Sequence, residues 1–276
     1  MNDLRLALLQ CESMPGDVAA NMRRLAQACE DAAHAGAHLL VTPEMFLTGY
    51  NIGRAAVDAF AAFAAFAAFA DGAQHRERVE AVAAIARRHR IAVVFGHPER
   101  VPGGGVANTA VCVDAGGQVL GRYRKTHLFG ELDRDMFSAG AGDEALFDVR
   151  GWNIGMLICY DVEFAENTRR LALQGADLIA VPTANMVGFD FVAQHLVPTR
   201  AYENQVFVAY ANFCGREADL AYGGLSCVAA PDGTVPARGG RLPALVLADL
   251  KSEALVEGRR RLRHLADFRG MRDAGR

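Results

Sequence analysis

Residues 153–181 read NIGMLICYDVEFAENTRRLALQGADLIAV, and this stretch decides the fold class. Residues 153–158 are almost entirely apolar and predict a buried strand, and residues 178–181 predict a second one. Between them, residues 161–174 predict a helix. Strands that alternate with helices in this way are typical of α/β proteins.

The same mixture continues on both sides of this stretch. Further strands are predicted over residues 4–9, 38–41, 91–96, 146–149, 206–211, 225–230 and 244–249, and further helices over residues 17–33, 54–70, 74–89 and 191–204. Residues 106–113 and 118–123 predict a hairpin, and residues 124–142 predict a long loop of the kind that usually carries function. We therefore expect one α/β domain over residues 1–276, with two sheets between helix layers. The Arg-rich tail, residues 251–276, has few apolar residues to pack within the chain.

The composition excludes several classes of protein. Of the 276 residues, 51% are hydrophobic and 22% are charged, which excludes a disordered or fibrous chain. The net charge of −3 gives no basic excess for nucleic acid or an anionic membrane. The uncharged run at residues 59–70 is shorter than the roughly 20 residues of a membrane-spanning helix. No signal peptide is evident, so a cytoplasmic protein is expected.

The six cysteines are scattered and form no CxxC pair. Neither the cysteines nor the eight histidines have the spacing of a metal site, so we expect no metal and no cofactor. A disulfide framework is not expected at this length, and most of the thiols are expected in the core.

Reactive side chains follow three predicted strands. Glu44 follows the strand at 38–41, Lys125 follows the hairpin strand at 118–123, and Cys159 follows the strand at 153–158. Each residue alone has an ordinary interpretation as a surface charge or a buried thiol. Together they supply a base, a cation and a nucleophile at strand ends, where α/β proteins place functional groups.

The residues around these three positions resemble the nitrilase superfamily of carbon–nitrogen hydrolases. The matching segments are Pro43-Glu44-Met45-Phe46, Tyr123-Arg124-Lys125-Thr126-His127-Leu128 and Cys159-Tyr160-Asp161-Val162-Glu163-Phe164-Ala165-Glu166, together with residues 200–212, 223–226 and 231–233. They occur in the order of the family and cover nearly the whole chain. The resemblance implies a four-layer α-β-β-α fold and a Glu-Lys-Cys triad. It also implies a second glutamate after the lysine, for which Glu131 is the candidate.

The resemblance further implies the chemistry of an amidase. Glu44 would act as general base, and Cys159 would attack the amide carbon to form a thioester. Lys125 and the backbone N–H of Tyr160 would form the oxyanion hole, and Glu131 would hold Lys125. Family members associate into dimers through helices and C-terminal tails. We therefore expect a homodimer or larger homo-oligomer, with residues 251–276 crossing the subunit boundary.

Four residues are candidates for the substrate pocket: Tyr50, Glu163, Asn185 and Met186. Glu163 stands where sequences of the ω-amidase branch carry an arginine, and a carboxylate there disfavours an anionic substrate. The run from Cys159 to Phe164 is more similar to amidases of small to medium neutral or amine-bearing carboxamides. An ω-amidase and an N-carbamoyl (ureido acid) hydrolase remain the alternatives. A scaffold subunit without activity is disfavoured, because it has no need for all four catalytic residues.

Overall fold

Two six-stranded sheets form the centre of this computed structural model, which describes residues 2–65, 73–102, 104–142 and 146–269. The first sheet contains β1 (Leu4–Gln10), β2 (Leu39–Val41), β3 (Ala92–Arg100), β4 (Val106–Val113), β5 (Val119–Arg124) and β14 (Ala244–Leu250). The second sheet contains β6 (Phe147–Val149), β7 (Trp152–Met156), β8 (Leu178–Thr183), β9 (Phe207–Asn212), β12 (Cys227–Ala229) and β13 (Ala237–Arg238). A separate hairpin joins β10 (Cys214–Glu217) to β11 (Leu220–Gly223).

The strand order places several strand ends at one edge of the molecule. The first sheet has the order β14-β1-β2-β3-β4-β5, and the second has the order β13-β12-β9-β8-β7-β6. Strands β1, β2 and β3 are parallel, as are β7, β8 and β9. Because parallel strands end on the same side of a sheet, the residues that follow them can meet there. Two antiparallel steps, β3 to β4 and β4 to β5, bring the end of β5 back to the same edge as that of β3.

The two sheets pack face to face and helices cover their outer faces. Leu4, Leu6 and Leu8 of β1 belong to the same buried cluster as Ile154 and Leu178 of the second sheet. The first sheet is covered by α1 (Val18–His34), α2 (Arg54–Ala65) and α3 (Ala73–His89), and the second by α5 (Ala165–Leu173) and α6 (Val197–Asn204). These are the four α-β-β-α layers, and the predicted fold class is confirmed.

Helix α1 illustrates how the sequence specifies an outer layer. The Asp17 side chain accepts a 2.8 Å hydrogen bond from the Ala20 N–H and so caps the helix. Leu25, Cys29 and Ala32 recur at helical spacing and are buried against the sheet. The predicted helix over residues 54–70 corresponds to α2 up to Ala65, and residues 66–70 lie outside the described residues.

Several predicted boundaries differ from the structure. The segment 124–142 carries a helix, α4 (Gly130–Met136), and the hairpin β10–β11 was not predicted. The predicted helix over residues 161–174 is divided into a 3-10 turn, Cys159–Glu163, and α5. The predicted helix over residues 191–204 begins with a π-helical turn, Val192–Leu196, before α6. The 3-10 turn forms because Asp161 bonds back to Ile158, through a side-chain oxygen and through its own N–H.

The C-terminal tail packs on its own chain, which corrects the expectation that it has little to pack against. It forms α7 (Ser252–Arg261) and α8 (His264–Asp267). Leu255 is fully buried, the Arg259 guanidinium lies 2.9 Å from the Asp177 carboxylate, and the Gln205 amide donates to the Gly258 carbonyl. Residues 270–276 lie outside the described residues.

Candidate active site

The end of β2 places Glu44 between the two sheets. The Glu44 N–H donates a 3.2 Å hydrogen bond to the carbonyl oxygen of Thr183 in β8, which joins the first sheet to the second. The next residue, Met45, has a φ of +51°, so the chain turns sharply after Glu44. Gly96 of β3 makes room for this turn, because a Cβ at Gly96 would overlap the Met45 backbone nitrogen.

Lys125 contacts two carboxylates at the end of β5. Its Nζ lies 2.7 Å from Oε1 of Glu44 and 2.7 Å from Oδ2 of Asp133, and all three side chains are completely buried. The Lys125 backbone is fixed on both sides, by a bond to the Asn108 carbonyl and by one from the Gly140 N–H. The ammonium is therefore held at a defined point.

The second carboxylate of the site is Asp133, which corrects the prediction that Glu131 holds Lys125. The Glu131 side chain is 85% exposed and pairs with Arg134 on the surface. Both residues lie on α4, where two positions differ by about 200° around the axis, so only one of them can face inward. Asp133 also accepts hydrogen bonds from the Tyr50 hydroxyl, at 2.7 Å, and from the Phe129 N–H, at 2.8 Å.

Asn108 of β4 also belongs to the site and was missed from the sequence. Its Nδ2 donates a 2.7 Å hydrogen bond to Oε1 of Glu44, the oxygen that also accepts from Lys125. The signal in the sequence was an asparagine within the mostly apolar strand VANTAVCV. The other Glu44 oxygen, Oε2, is buried and has no hydrogen-bond partner among the described residues.

Cys159 occupies the first position of the 3-10 turn and has a φ of +46°. Such a left-handed conformation is rare for a residue with a side chain and stores strain where the surrounding contacts enforce it. Asp161 supplies those contacts, because its carboxylate accepts from Ile158, from the Thr126 hydroxyl and from the His127 N–H. These bonds also join the cysteine turn to the segment after Lys125. Of the six cysteines, all within the described residues, Cys159 alone retains part of its residue surface, while the other five are buried.

The electrostatics of the cluster favour a neutral thiol and a charged lysine. Burial raises the pKa of Cys159, the Glu44 carboxylate raises it further, and Lys125 only partly opposes them, so the thiol pKa lies well above its usual range. Burial and Asp133 also raise the pKa of Glu44, against the effect of Lys125. Burial alone would lower the pKa of Lys125, but the Glu44 and Asp133 carboxylates raise it well above its usual value.

The predicted pocket residues have different surroundings. Tyr50 is 1% exposed and its hydroxyl is bonded to Asp133, so it supports the charged cluster. Asn185 is also buried, and its side chain bonds within its own loop, to the Phe189 carbonyl and the Met186 N–H. The half-buried Tyr160 packs its ring edge-on against Phe129, with 5.3 Å between the ring centres. Contact of these residues with a bound amide stays a prediction.

Glu163 is half-buried at the end of the cysteine turn. Its backbone carbonyl accepts a 2.7 Å hydrogen bond from the Arg200 guanidinium, which also binds the Val162 carbonyl. Burial raises the pKa of the Glu163 carboxyl, while the positive charges of Arg200 and Lys125 lower it. The Glu163 carboxyl is therefore close enough to Lys125 for the ammonium charge to act on it.

Two further properties concern the described part of the chain. It contains no helix with the length and apolar character needed to cross a bilayer. It also contains no group of three or more His, Cys, Asp or Glu side chains arranged around a common metal position.

Similarity to known proteins extends over almost the whole chain. The model of the carbon–nitrogen hydrolase family matches residues 5–260. A protein of Pseudomonas protegens named "Hydrolase in pqqF 5'region" is 49% identical over 96% of this chain and 89% of its own length. The (R)-stereoselective amidase of a Pseudomonas species is 33% identical over 97% of this chain and 92% of its own length.

A solved structure has the same architecture. The crystal structure of an amidase from Nesterenkonia sp. superposes with a TM-score of 0.81 at 32% identity, covering 97% of this chain and 94% of that one. In a mutant of the amidase from Nesterenkonia sp. AN1, the acetamide moiety of fluoroacetamide is covalently added to the active-site cysteine.

Proposed function

This chain belongs to the carbon–nitrogen hydrolase family, as an enzyme of its amidase-like branch, and we propose that it releases ammonia from a neutral or amine-bearing carboxamide through a thioester on Cys159. The observation that carries the proposal is the buried contact of Lys125 with both Glu44 and Asp133, close enough to Cys159 for these charges to act on its thiol. This cluster offers the base, the cation and the nucleophile that amide cleavage needs.

In the first step, Glu44 takes the thiol proton of Cys159 as the sulfur attacks the amide carbon. A free thiolate beside Glu44 and Asp133 would add a third negative charge. This repulsion raises the pKa of the thiol, so the resting sulfur stays protonated. Proton transfer during attack avoids this state. The Oε2 atom of Glu44 is the acceptor we assign, since Oε1 is already bonded to Lys125 and Asn108.

Negative charge then develops on the carbonyl oxygen. The Lys125 ammonium stays protonated throughout, because its pKa is raised well above the working range. The first N–H groups of a helical turn have no acceptor inside the turn, so the Tyr160 N–H at the start of the cysteine turn can donate to the same oxygen. Lys125 and Tyr160 would together form the oxyanion hole.

The tetrahedral intermediate collapses as the carbon–nitrogen bond breaks. Glu44 returns its proton to the leaving nitrogen, so ammonia departs and a thioester remains on Cys159. Glu44 then removes a proton from a water molecule that attacks the thioester carbon. Cleavage of the carbon–sulfur bond gives the carboxylic acid, and the proton held by Glu44 restores the thiol.

Glu163 bears on the substrate class. The Glu163 carboxylate, in addition to those of Glu44 and Asp133, repels an anionic substrate and is compatible with a neutral or cationic one. The proposed substrate is therefore a small to medium carboxamide without a distal carboxylate. An ω-amidase would prefer the opposite charge, and an N-carbamoyl hydrolase would accept a ureido acid.

The test is a panel of amides with detection of released ammonia. It should contain a neutral carboxamide, an amide with a distal amine, a dicarboxylic acid monoamide of equal size and a ureido acid, with Cys159→Ala as the blank. We expect the first two to have the higher kcat/KM, by roughly tenfold to several hundredfold over the monoamide. Preference for the monoamide or the ureido acid would move the chain to that branch.

A Glu163→Gln variant shows whether this carboxylate sets the preference. Glutamine keeps the size of the side chain and removes the charge, so the disadvantage of the monoamide should shrink while kcat/KM for the neutral amide changes little. An unchanged ratio would show that Glu163 does not act on the substrate.

We also propose a homodimer or larger homo-oligomer in the cytoplasm, with residues 251–276 crossing the subunit boundary. The contacts of α7 and α8 with their own chain leave the outer side of these helices for a second copy, and Val256 on α7 is 66% exposed. Light scattering of the full chain and of a Val256→Asp variant would test this, since a buried charge should weaken an interface at this position.

A further inference from the structure

The buried acid Glu217 has no role in the reaction described above, although its side chain reaches the loop that carries Tyr50. It ends β10 and is 2% exposed. Its Oε1 accepts from the Tyr50 N–H at 2.9 Å and from the Asn51 N–H at 3.2 Å. Its Oε2 accepts from the hydroxyl of Tyr222, on the paired strand β11. Burial raises the pKa of Glu217, and these donors oppose that rise.

The loop fits closely around this carboxylate. Gly49 has a φ of +86°, and a Cβ at this position would lie 2.6 Å from Oε1 of Glu217. A side chain at residue 49 would therefore push the carboxylate away from the two N–H groups. The same loop is attached a second time, since the Asn51 amide donates a 2.7 Å hydrogen bond to Asp219 in the turn of the hairpin.

A continuous series of contacts leads from Glu217 to the catalytic lysine. Glu217 binds the backbone of Tyr50, the Tyr50 hydroxyl binds Oδ1 of Asp133, and Oδ2 of Asp133 contacts the Lys125 ammonium. The Lys125 ammonium also lies 5.7 Å above the Tyr50 ring, within the range of a cation–π contact. Each of these four side chains is at most 2% exposed, so water does not compete strongly for the contacts.

The hairpin that carries Glu217 is itself anchored at both ends. The Cys214 N–H donates to the Cys11 carbonyl, and the Gly223 N–H donates to the Asn185 carbonyl, each at 2.9 Å. The first anchor follows β1 of the first sheet, and the second follows β8 of the second sheet. The hairpin is thus fixed to both halves of the molecule and is a firm base for the Tyr50 loop.

We propose that Glu217 is a positioning residue that sets the place of the Lys125 ammonium through Tyr50 and Asp133. This inference rests on the proposed role of Lys125 in stabilising the oxyanion. Loss of Glu217 would release the loop 49–51, Tyr50 would no longer fix Asp133, and the ammonium would move from the point where negative charge develops. Catalysis requires such placement within a fraction of an ångström.

The test compares Glu217→Ala, Glu217→Gln, Tyr50→Phe and the Glu217→Ala/Tyr50→Phe double variant on an amide that the wild type hydrolyses. Alanine should lower kcat by roughly tenfold to a hundredfold with KM within about twofold. Glutamine should recover most of the rate, since its carbonyl oxygen can accept from both N–H groups. The double variant should be no slower than the slower single variant, because both act along one path.

A second measurement does not require turnover. Iodoacetamide alkylation of Cys159, followed by mass spectrometry at a fixed pH, reports the thiolate fraction, which the Lys125 charge increases. We expect slower alkylation in Glu217→Ala and in Tyr50→Phe. If the ammonium stayed in place, removal of the negative charge of Glu217 would favour the thiolate and speed alkylation. Slower alkylation therefore reports a displaced ammonium. If no amide is hydrolysed, the proposed function fails while this measurement still tests Glu217.

Three results would overturn the inference. They are a loss of kcat in the double variant equal to the product of the two single losses, a Glu217→Gln variant as slow as Glu217→Ala, or an unchanged rate of alkylation in Glu217→Ala. Thermal unfolding identifies a variant that has lost its fold. If Glu217→Ala does so, Glu217→Asp replaces it, since aspartate keeps the charge but ends one methylene short of the two N–H groups. Normal kcat in a folded Glu217→Asp would equally reject the proposal.

Discussion

The ends of β2 and β7 share their geometry and differ in exposure. Each strand pairs in parallel with a neighbour, and each is followed within four residues by a residue with left-handed backbone, Met45 at +51° and Cys159 at +46°. Glu44, at the end of β2, is completely buried, whereas Cys159 is not. The Glu44 carboxylate and the Lys125 ammonium, the proposed base and cation, are thus out of reach of solvent, whereas the turn that begins at Cys159, the proposed nucleophile, is partly open to it.

The difference follows from the charges involved. A buried carboxylate is costly unless a cation and hydrogen-bond donors surround it, and Glu44 has both in Lys125 and Asn108. A neutral thiol has no such requirement, so Cys159 needs no counter-ion of its own. We therefore expect substitutions to lower activity in two different ways. A substitution at Cys159 removes the reacting atom, whereas a substitution around Lys125 displaces a charge.

The largest loss of activity is expected from substitution of Cys159. Cys159→Ala removes the reacting sulfur without changing a buried charge, so it should leave the fold intact. Turnover should fall by roughly three orders of magnitude or more. Ammonia release and thermal unfolding measured together check both parts. A variant that kept more than a few per cent of the wild-type rate would refute the assignment, as would an acyl adduct found by mass spectrometry on another cysteine.

The Lys125→Arg variant tests whether a positive charge alone is enough for activity. Arginine keeps the positive charge, but its planar guanidinium is larger than the ammonium that fits 2.7 Å from both Glu44 and Asp133. The developing oxyanion would lose its donor, and loss of one such donor lowers kcat by about a hundredfold to a thousandfold. A near-normal kcat would show that diffuse positive charge is sufficient.

The third prediction compares two acids on one helix. Asp133→Asn should lower kcat by roughly tenfold to a hundredfold, because it weakens the hold on Lys125, whereas the matched control Glu131→Gln should leave it unchanged. The Asp133 charge raises the pKa of Glu44, so its removal lowers that pKa. Because Glu44 must be ionised to act, the acid limb of kcat/KM should move to lower pH in Asp133→Asn. Equal effects of the two substitutions would contradict the assignment.

These two acids also show what the sequence could and could not predict. The strand ends that carry Glu44, Lys125 and Cys159 were predictable, because apolar runs mark the strands and the reactive residue follows directly. The inward orientation of the Asp133 side chain was not predictable. The segment 124–142 was predicted as a loop, and a loop has no regular spacing that tells which acid points inward. The hairpin β10–β11 and Glu217 depend on contacts with distant segments, including Tyr50 and Cys11, which a local pattern does not contain.

The smallest effect is expected where no reactive group is touched. Gly96→Ala adds one methyl to β3, where it would overlap the Met45 backbone nitrogen and lie 3.1 Å from its Cα. Because backbone cannot move aside as a flexible side chain can, the turn after β2 should shift and carry Glu44 with it. We expect kcat to fall about tenfold, the cost of a displacement well below 1 Å in the base. Gly240→Ala is the matched control, because a Cβ there meets nothing within 4 Å. If both alanine variants kept the wild-type kcat, the turn after β2 would tolerate displacement. The comparison of the two strand ends could then not rest on a fixed position of the Glu44 carboxylate.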